Sequence, residues 1–165
     1  MFIDAKEADA TIEYVRHLLN LITKLPGNDK PERRGVYLCV REQQSGLVVL
    51  LMPFGQFEDY RFADGCFDFA QEKTMRLLGH PDHISSWQSR SPDLRLYGGG
   101  IVCPNVGLIV ALSGLTEAGD EALAVTLAYK MNWLSNTQAG AITGISGNRM
   151  TPALLTSLHN SPLTR

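Results

Sequence analysis

Apolar residues recur at intervals of three and four over residues 8–25, which is the spacing of an amphipathic α-helix, and a Pro-Gly pair ends the pattern. The same spacing covers residues 65–78 and again residues 116–134. A short helix is predicted at residues 150–159, where a proline stands near the first helical position. The pattern therefore predicts three long helices and one short helix near the carboxyl end.

Runs rich in β-branched and aliphatic residues lie between these helices. Residues 35–40 and 47–54 are two such runs, and residues 101–103 and 108–112 are two more around a turn that contains Asn and Gly. Residues 94–97 are predicted to add a short extra strand. Hairpins that alternate with helices favour an α+β fold, in which helices pack on an antiparallel sheet of about five strands.

The run at residues 47–54 is apolar at successive positions instead of alternating. Such a strand is typical of a sheet that is covered on both faces. We therefore expect helices on one face of this strand and a second subunit on the other.

The composition is that of an ordinary soluble protein. The 165 residues are 44% hydrophobic and 19% charged, with a formal net charge of -2. This balance gives no field that would gather nucleic acid or an anionic membrane surface, so neither partner is expected. The longest apolar run, at residues 47–54, is far shorter than the ~18 residues of a membrane-spanning helix.

Location and domain organisation follow from simpler features. The first nine residues hold three acids and one lysine, unlike a secretory signal, and the three cysteines share no CxxC spacing. We therefore expect a cytoplasmic protein with reduced thiols. A single domain is predicted over residues 1–134, and residues 135–165 are predicted to form an extension that carries the short helix.

The triple glycine Gly98, Gly99 and Gly100 has two open interpretations. Glycine lets a ligand approach backbone amides closely, and the Ser-Gly pair after the second hairpin leads to a helix amino terminus, which favours anions. The other interpretation is fold geometry, because acids already occupy the first turns of that helix and repel an anion. One of these acids, Asp120, is a candidate to hold a polar ligand with Lys73 as its partner, and the alternative is a structural pair.

The third long helix has two apolar faces. Ala122, Val125, Tyr129 and Trp133 cluster on the side where a solvated helix would place charge. Two interpretations have equal weight: this face meets a partner subunit, or the carboxyl-terminal segment folds over it.

Candidate metal ligands are few. His80, Asp82 and His83 form the only dense cluster of ligand types in the sequence. The two histidines, with Asp82 between them, could start a site, but a third and a fourth ligand are not evident and Pro81 disturbs the spacing, so a solvated loop is favoured over a metal site. His17 is placed on the polar face of the first helix. The chain has no phosphate-binding loop, hydrolase serine motif or zinc-protease motif.

One family resemblance emerges from the glycine segment. The order YGGGI, strand, turn, strand, SG and DEALA resembles the GGGxPI…G…GxSG…DExxA signature of the GlcG/HbpS family. Asp64 and Gly65, followed by Ala70 and Lys73, resemble that family's DG…A..K segment. The resemblance covers about residues 36–134.

The resemblance implies a profilin-like sheet of five antiparallel strands and a homo-oligomer. Similar proteins include heme-binding sensor partners, the carboxyl-terminal domain of PduO-type corrinoid adenosyltransferases, and proteins encoded beside glycolate oxidation genes, and most have no demonstrated reaction. The resemblance therefore leaves the ligand open, with heme or a corrinoid as one option. If heme is bound, His17 is the candidate iron ligand, and its place on the polar face would require a site between subunits; a surface histidine without a ligand role is the favoured interpretation.

Three functions remain open from the sequence. The first is an oligomeric domain that binds a small molecule, such as a tetrapyrrole, without catalysis, through Lys73, Asp120 and the three glycines at 98–100. The second is an enzyme that acts on a small organic acid or cofactor, with Lys73 and Asp120 as acid and base. The third is a structural assembly module with an apolar interface and no enclosed pocket.

Overall fold

A computed structural model describes residues 3–164 of the chain. The elements are α1 (Ala5–Ile22), β1 (Arg34–Glu42), β2 (Val48–Gln56), α2 (Tyr60–Leu78), two short 3-10 helices (Ser86–Ser89 and Pro92–Leu94), β3 (Gly100–Cys103), β4 (Leu108–Ser113), α3 (Glu117–Lys130), α4 (Asn136–Ser146) and α5 (Met150–Asn160). The α+β class predicted from the sequence is confirmed. No helix within residues 3–164 has both the length and the apolar character that crossing a membrane requires.

The strands form one antiparallel sheet in the order β2-β1-β4-β3. α2 packs on one face of this sheet, against β1, β4 and β3. α1 and α3 lie on the opposite face, and α5 packs on both of them. The central strands β1 and β4 are therefore covered on both sides, between two helical layers.

Alternation along β1 shows how the sequence divides between these layers. Leu38 and Val40 lie in the main core with α1 and α3. Cys39 and Arg41 point to the other face, where both side chains hydrogen-bond to Thr74 of α2. The period of two expected of a strand thus assigns apolar and polar positions to opposite faces.

The helix boundaries follow from capping. Asp4 and Glu7 form a capping box, so α1 begins three residues earlier than the apolar pattern predicts. Asp59 caps α2 by accepting a hydrogen bond from the backbone N–H of Phe62, which places the start of that helix five residues before the predicted one. Thr116 caps α3, as predicted.

The described part of the sheet has four strands, one fewer than predicted. The extra strand expected at residues 94–97 does not form, because Ser91 and Leu96 bond to each other across a tight turn. The outer edge of β3 is instead occupied by the segment before the first 3-10 helix, where Ile84 accepts a hydrogen bond from the N–H of Val102.

β2 lies at the edge of the sheet. Phe54 is its only buried residue, and Leu47 and Val48, where the strand begins, are 57% and 39% exposed. The single chain therefore leaves part of β2 exposed. The apolar run predicted that both faces are covered, one by helices and the other by a second subunit. Coverage by a second subunit stays a prediction.

The carboxyl-terminal extension contributes to the main core. α4 was not predicted, because its sequence is small and weakly amphipathic, yet Ser135 and Gln138 form a capping box at its start. Ile142 of α4 is buried, as are Leu154 and Leu158 of α5. Residues 135–160 thus share a core with the predicted domain.

The second apolar face of α3 is covered within the chain. Ala122, Val125 and Trp133 are buried, and α5 packs against α3. Tyr129 alone of the four candidate interface residues is partly exposed. Packing of α5 on α3 favours the interpretation in which the carboxyl-terminal segment folds over this face. Because Ala122, Val125 and Trp133 are buried within the single chain, only Tyr129 of the four is accessible to a partner subunit, and contact with a partner stays a prediction.

Candidate functional site

Lys73 and Asp120 form a buried ion pair between α2 and α3. The Lys73 ammonium donates to Asp120 Oδ2 at 3.2 Å and to the carbonyl oxygen of Leu112 at 2.7 Å. Asp120 Oδ1 accepts from the backbone N–H of Leu115 at 2.9 Å. The two residues are only 1% and 3% exposed. The predicted pairing of Lys73 with Asp120 is thus present, and both side chains are buried. The sequence left open whether the pair binds a ligand or is a structural contact.

The surroundings of the pair control its charge. Burial raises the pKa of the Asp120 carboxyl, and the nearby Lys73 ammonium and the backbone N–H groups of Leu115 and Gly114 act in the opposite direction. Removing two charges from water costs several kcal/mol per ion, which only close partners can offset. The stability of each buried charge therefore depends strongly on the presence of the other.

The triple glycine allows the chain to pass close to the pair. A Cβ on Gly99 would lie 2.7 Å from Asp120 Cβ and 3.0 Å from Lys73 Nζ, and φ at Gly99 is +111°. A Cβ on Gly98 would lie 2.3 Å from the indole nitrogen of Trp87. Side chains are excluded here by sterics and by backbone conformation, which supports the fold-geometry interpretation.

Two of the three glycine amides already have partners. The N–H of Gly98 donates to Glu117 Oε1 at 2.8 Å, and the N–H of Gly100 donates to Ser86 Oγ at 2.9 Å. Gly99 and Gly100 lie close to the ion pair, whereas Gly98 lies against Trp87, and none of the three lines the pocket beside the pair. The structure thus brings together all five predicted ligand residues, and the ones that reach the pocket are Lys73 and Asp120.

A pocket of about 500 Å³ opens beside the ion pair. This volume lies within the range of ~300–1,000 Å³ that small-molecule sites occupy. Its walls come from α2, from the loop before β1, and from the segment that joins β4 to α3. Its aromatic lining consists of Phe62, Phe69 and Tyr97, and Ser113 and Thr116 add hydroxyl groups.

No family model, curated protein or solved structure matches this chain. The GlcG/HbpS resemblance therefore stays an expectation that rests on the sequence motifs.

Arg33 supplies a cation at the pocket. Its Nη1 donates to the carbonyl oxygen of Leu115 at 3.0 Å, and its guanidinium carbon lies 5.3 Å from the centre of the Phe62 ring. Lys30 is an exposed cation in the same lining. Because a guanidinium carries five N–H donors in a planar fork, Arg33 retains donors that a planar anion can engage.

The acid at the start of α3 is already paired. Glu117 binds Arg90 through two hydrogen bonds, of 2.8 Å and 2.7 Å. Although burial acts to raise it, the bonds from Arg90 and from the N–H of Gly98 lower the pKa of Glu117. This acid is therefore ionised and held in place, so its repulsion of an incoming anion is partly cancelled by Arg90.

Cys66 lines the pocket as a protonated thiol. Burial raises its pKa to about 11, and the Asp120 carboxylate adds to the effect. A nucleophilic cysteine needs a lowered pKa, so this thiol lacks the activation that covalent catalysis requires. No histidine lines the pocket to act as a base for Ser113.

The predicted histidine candidates lie elsewhere. His17, on α1, has a ring nitrogen 2.6 Å from the carbonyl oxygen of Ser161. His80 and His83 lie in the loop after α2, with their rings stacked 4.6 Å apart. None of the three belongs to the lining of the Lys73 pocket.

Sequence reasoning missed Arg33, Tyr97 and Glu121. Arg33 stands in a polar linker where nothing distinguishes it from the other arginines, and Tyr97 was assigned only to the glycine motif and to the end of the predicted extra strand. Both reach the pocket through contacts with residues far along the chain, which spacing along the sequence does not reveal.

Glu121 is a buried carboxylate whose hydrogen-bond partners are uncharged. Its Oε1 accepts from Asn148 Nδ2 at 3.1 Å and from the hydroxyl of Ser146, and its Oε2 accepts from the hydroxyl of Ser85 at 3.2 Å. Burial raises the pKa of Glu121, and these three hydrogen bonds oppose the rise. The cluster joins α3 to the α4–α5 connection and to the loop before β3.

We expect Glu121→Gln to remove part of the pH dependence of stability. A carboxyl whose pKa is raised by folding stabilises the fold when protonated, and this contribution is lost as pH rises from the ordinary value of 4.5 through the folded-state pKa. Gln keeps an acceptor for Asn148 and donates to the Ser85 hydroxyl, without titrating. As pH rises, the free energy of unfolding of the variant should therefore increase relative to that of wild type, by about 1.4 kcal/mol for each unit by which folding raises the pKa of Glu121.

Urea unfolding between pH 4 and pH 8 measures this difference. Glu13→Gln, at an exposed position of α1, is the matched control and should track wild type at every pH. A difference between Glu121→Gln and wild type that stays constant over this range would contradict the assignment.

Proposed function

We propose that the chain binds a small acidic molecule with an apolar body in the Lys73 pocket, as a non-enzymatic domain of the GlcG/HbpS type. The observation that carries the proposal is the buried Lys73–Asp120 pair in the wall of a pocket of about 500 Å³. Buried charge in a pocket wall is costly for stability, and such groups concentrate at functional sites. We propose this function for a cytoplasmic homo-oligomer, as the resemblance implies.

The charges around the pocket favour an anion. Of the three acids in the lining, Glu117 and Asp120 are held by Arg90 and Lys73, respectively, and Asp29 is exposed next to the exposed Lys30 in the chain. No ion pair within residues 3–164 engages Arg33. A carboxylate that enters the pocket would therefore find a guanidinium whose fork matches its geometry.

The rest of the lining suits an apolar body. Phe69 and Tyr97 meet edge to face, with ring centres 5.2 Å apart, and Phe62 lies beneath the Arg33 guanidinium. Small-molecule sites combine such aromatic walls with a few convergent polar groups. Aromatic or alicyclic carboxylic acids, and tetrapyrroles with their carboxylate arms, share this chemistry.

Iron ligation by histidine does not fit this pocket. His17 bonds to Ser161 and is not part of the lining, and Cys66 is a protonated thiol. The pocket residues therefore support the carboxylate arms of a tetrapyrrole and not an axial histidine ligand. We propose no step that involves iron.

A second candidate is an enzyme that acts on a small organic acid. Lys73 and Asp120 line one pocket, and the pKa of Asp120 is raised by burial, which are the two conditions that acid-base use requires. Against this candidate, Leu115 and Lys73 already hold the two oxygens of Asp120. A pure assembly module is less favoured, because Trp133 is buried and a pocket is present.

The binding proposal predicts that Arg33→Gln weakens the affinity for acids by about 10–100-fold, because it removes a charge-assisted hydrogen bond worth about 1.5–3 kcal/mol. The purified chain is titrated with benzoate, phenylpyruvate, succinate and hemin, by calorimetry and, for hemin, by absorption in the Soret region. We expect micromolar binding of at least one of these acids. Arg34→Gln is the matched control, because it removes the same charge from the exposed neighbouring residue and should change affinity less than about twofold.

The outcomes separate the alternatives. Binding of hemin alone would identify the ligand class as tetrapyrroles. Binding of benzoate, phenylpyruvate or succinate alone would identify it as small carboxylic acids. Benzamide that binds as well as benzoate, or no binding of any acid at 1 mM, would overturn the proposal. Conversion of the bound acid, seen by mass spectrometry and lost in Asp120→Asn, would favour the enzyme.

A further inference from the structure

His80, Asp82 and His83 lie together in the loop that follows α2. One ligand atom from each of the three side chains lies within 4.8 Å of the other two. His80 and Asp82 are exposed, and His83 is partly exposed. The cluster is separate from the Lys73 pocket, whose lining includes none of these residues.

A turn brings these side chains together. The N–H of His83 donates to the carbonyl oxygen of His80 at 2.9 Å, which closes a four-residue turn. Pro81 occupies the second position of this turn, where its fixed φ is favoured. The ligand types therefore stand at the first, third and fourth positions of a turn that proline stiffens.

The residues after the turn are anchored to the sheet. The N–H of Ile84 donates to Gln88 Oε1 at 2.7 Å, and its carbonyl oxygen accepts from the N–H of Val102 at 2.9 Å. Ser85 pairs with Ile101 of β3. One end of the cluster is thus fixed to β3, which lowers the entropy that binding an ion would cost.

One nitrogen of the cluster lacks a hydrogen-bond partner. His83 Nδ1 is buried and has no hydrogen-bond partner. Buried polar atoms without a partner are rare in folded proteins, and an ion or a water molecule can satisfy them. The rings of His80 and His83 stack 4.6 Å apart at an angle of 10°. Since the nitrogen lone pairs of parallel rings do not converge, the exposed His80 ring must rotate to share an ion with His83.

We propose that His80, Asp82 and His83 form a binding site for a divalent transition-metal ion such as Zn²⁺, Ni²⁺ or Co²⁺. Imidazole nitrogen selects this group of metals over Mg²⁺ and Ca²⁺, which take oxygen ligands. Three protein ligands leave at least one coordination position for water, as in open sites, whereas structural zinc sites have four protein ligands. The site is independent of the function proposed for the Lys73 pocket.

The test uses the full chain without a histidine tag, treated with EDTA and then dialysed. Titration with Zn²⁺ by calorimetry should give one ion per chain with a dissociation constant in the micromolar range. Co²⁺ should give a visible absorption band whose intensity saturates at the same ratio. Both His80→Gln and His83→Gln should weaken binding by about 100-fold or more, beyond the ~10–100-fold that loss of a supporting residue costs.

His159→Gln is the matched control, because this histidine is exposed at the end of α5 and should leave affinity unchanged. Asp82→Asn should weaken Zn²⁺ binding as well, since it removes the anionic ligand. Failure to saturate below 100 µM Zn²⁺, or equal affinities in wild type and His80→Gln, would overturn the proposal. Full retention of folding by the variants is checked by their urea unfolding curves.

Discussion

Lys73→Met should lower the free energy of unfolding by about 3–5 kcal/mol, the cost of leaving one buried charge without its partner. Asp120 is 3% exposed, so water cannot replace the ammonium that the substitution removes. The carbonyl oxygen of Leu112 also loses its donor at 2.7 Å. Met resembles the Lys stem in length and flexibility, so the loss reports charge and hydrogen bonding more than packing.

Urea unfolding of Lys73→Met and of the double variant Lys73→Met/Asp120→Asn measures this loss. The double variant should regain much of the stability, because Asn is neutral and can still accept the hydrogen bond from Leu115. Lys24→Met, at an exposed position, is the matched control for the side-chain change and should lie within about 0.5 kcal/mol of wild type.

Two results would contradict the role of the pair. A loss of less than about 1 kcal/mol in Lys73→Met would mean that the charges are solvated. A double variant that is less stable than Lys73→Met would mean that Asp120 does not depend on the ammonium. If Lys73→Met does not fold, Asp120→Asn alone supplies the comparison with the double variant.

Gly99→Ala should lower the free energy of unfolding by about 2–5 kcal/mol, from about 1–2 kcal/mol of backbone strain and about 1–3 kcal/mol of overpacking. The strain arises because φ at Gly99 is +111°. The overpacking arises because the new methyl group would lie 2.7 Å from Asp120 Cβ and 3.1 Å from the carbonyl oxygen of Leu112. The same methyl group would displace the ion pair, so ligand affinity should fall as well.

Gly107→Ala separates the two contributions. Gly107 also has a positive φ, of +65°, but a Cβ there would meet nothing within 4 Å. This control should lose only the strain of about 1–2 kcal/mol, measured by the same urea unfolding. Equal losses in the two variants would show that contact with the ion pair does not constrain Gly99.

Local patterns in the sequence predicted most of the elements. The periods of three to four and of two depend on neighbours a few residues apart, and they located α1, α2, α3, α5 and the four strands. Boundaries were less accurate, because they depend on caps such as Asp4 and Asp59 that precede the apolar pattern. α4 was missed for a related reason: its cap is clear, but its apolar stripe is short.

The candidate site was predicted in part. Lys73 and Asp120 were singled out as candidate partners from their places on the second and third long helices, and the structure places their charged groups 3.2 Å apart. The pocket beside them was not predicted, because Arg33 and Tyr97 reach it from distant parts of the chain. Gly99 and Gly100 lie close to the pair, and the amides of Gly98 and Gly100 are already bonded to Glu117 and Ser86, respectively.

The sequence by itself determined the α+β class, the antiparallel hairpins, and the types of side chain available for chemistry. Only the tertiary structure decided how those side chains are used. α5 packs against α3, and Glu121 is buried among uncharged donors. The physical reason is that burial and pairing depend on which distant segments pack against each other. Each such contact competes with water and with many other possible contacts, and the sequence does not distinguish among them.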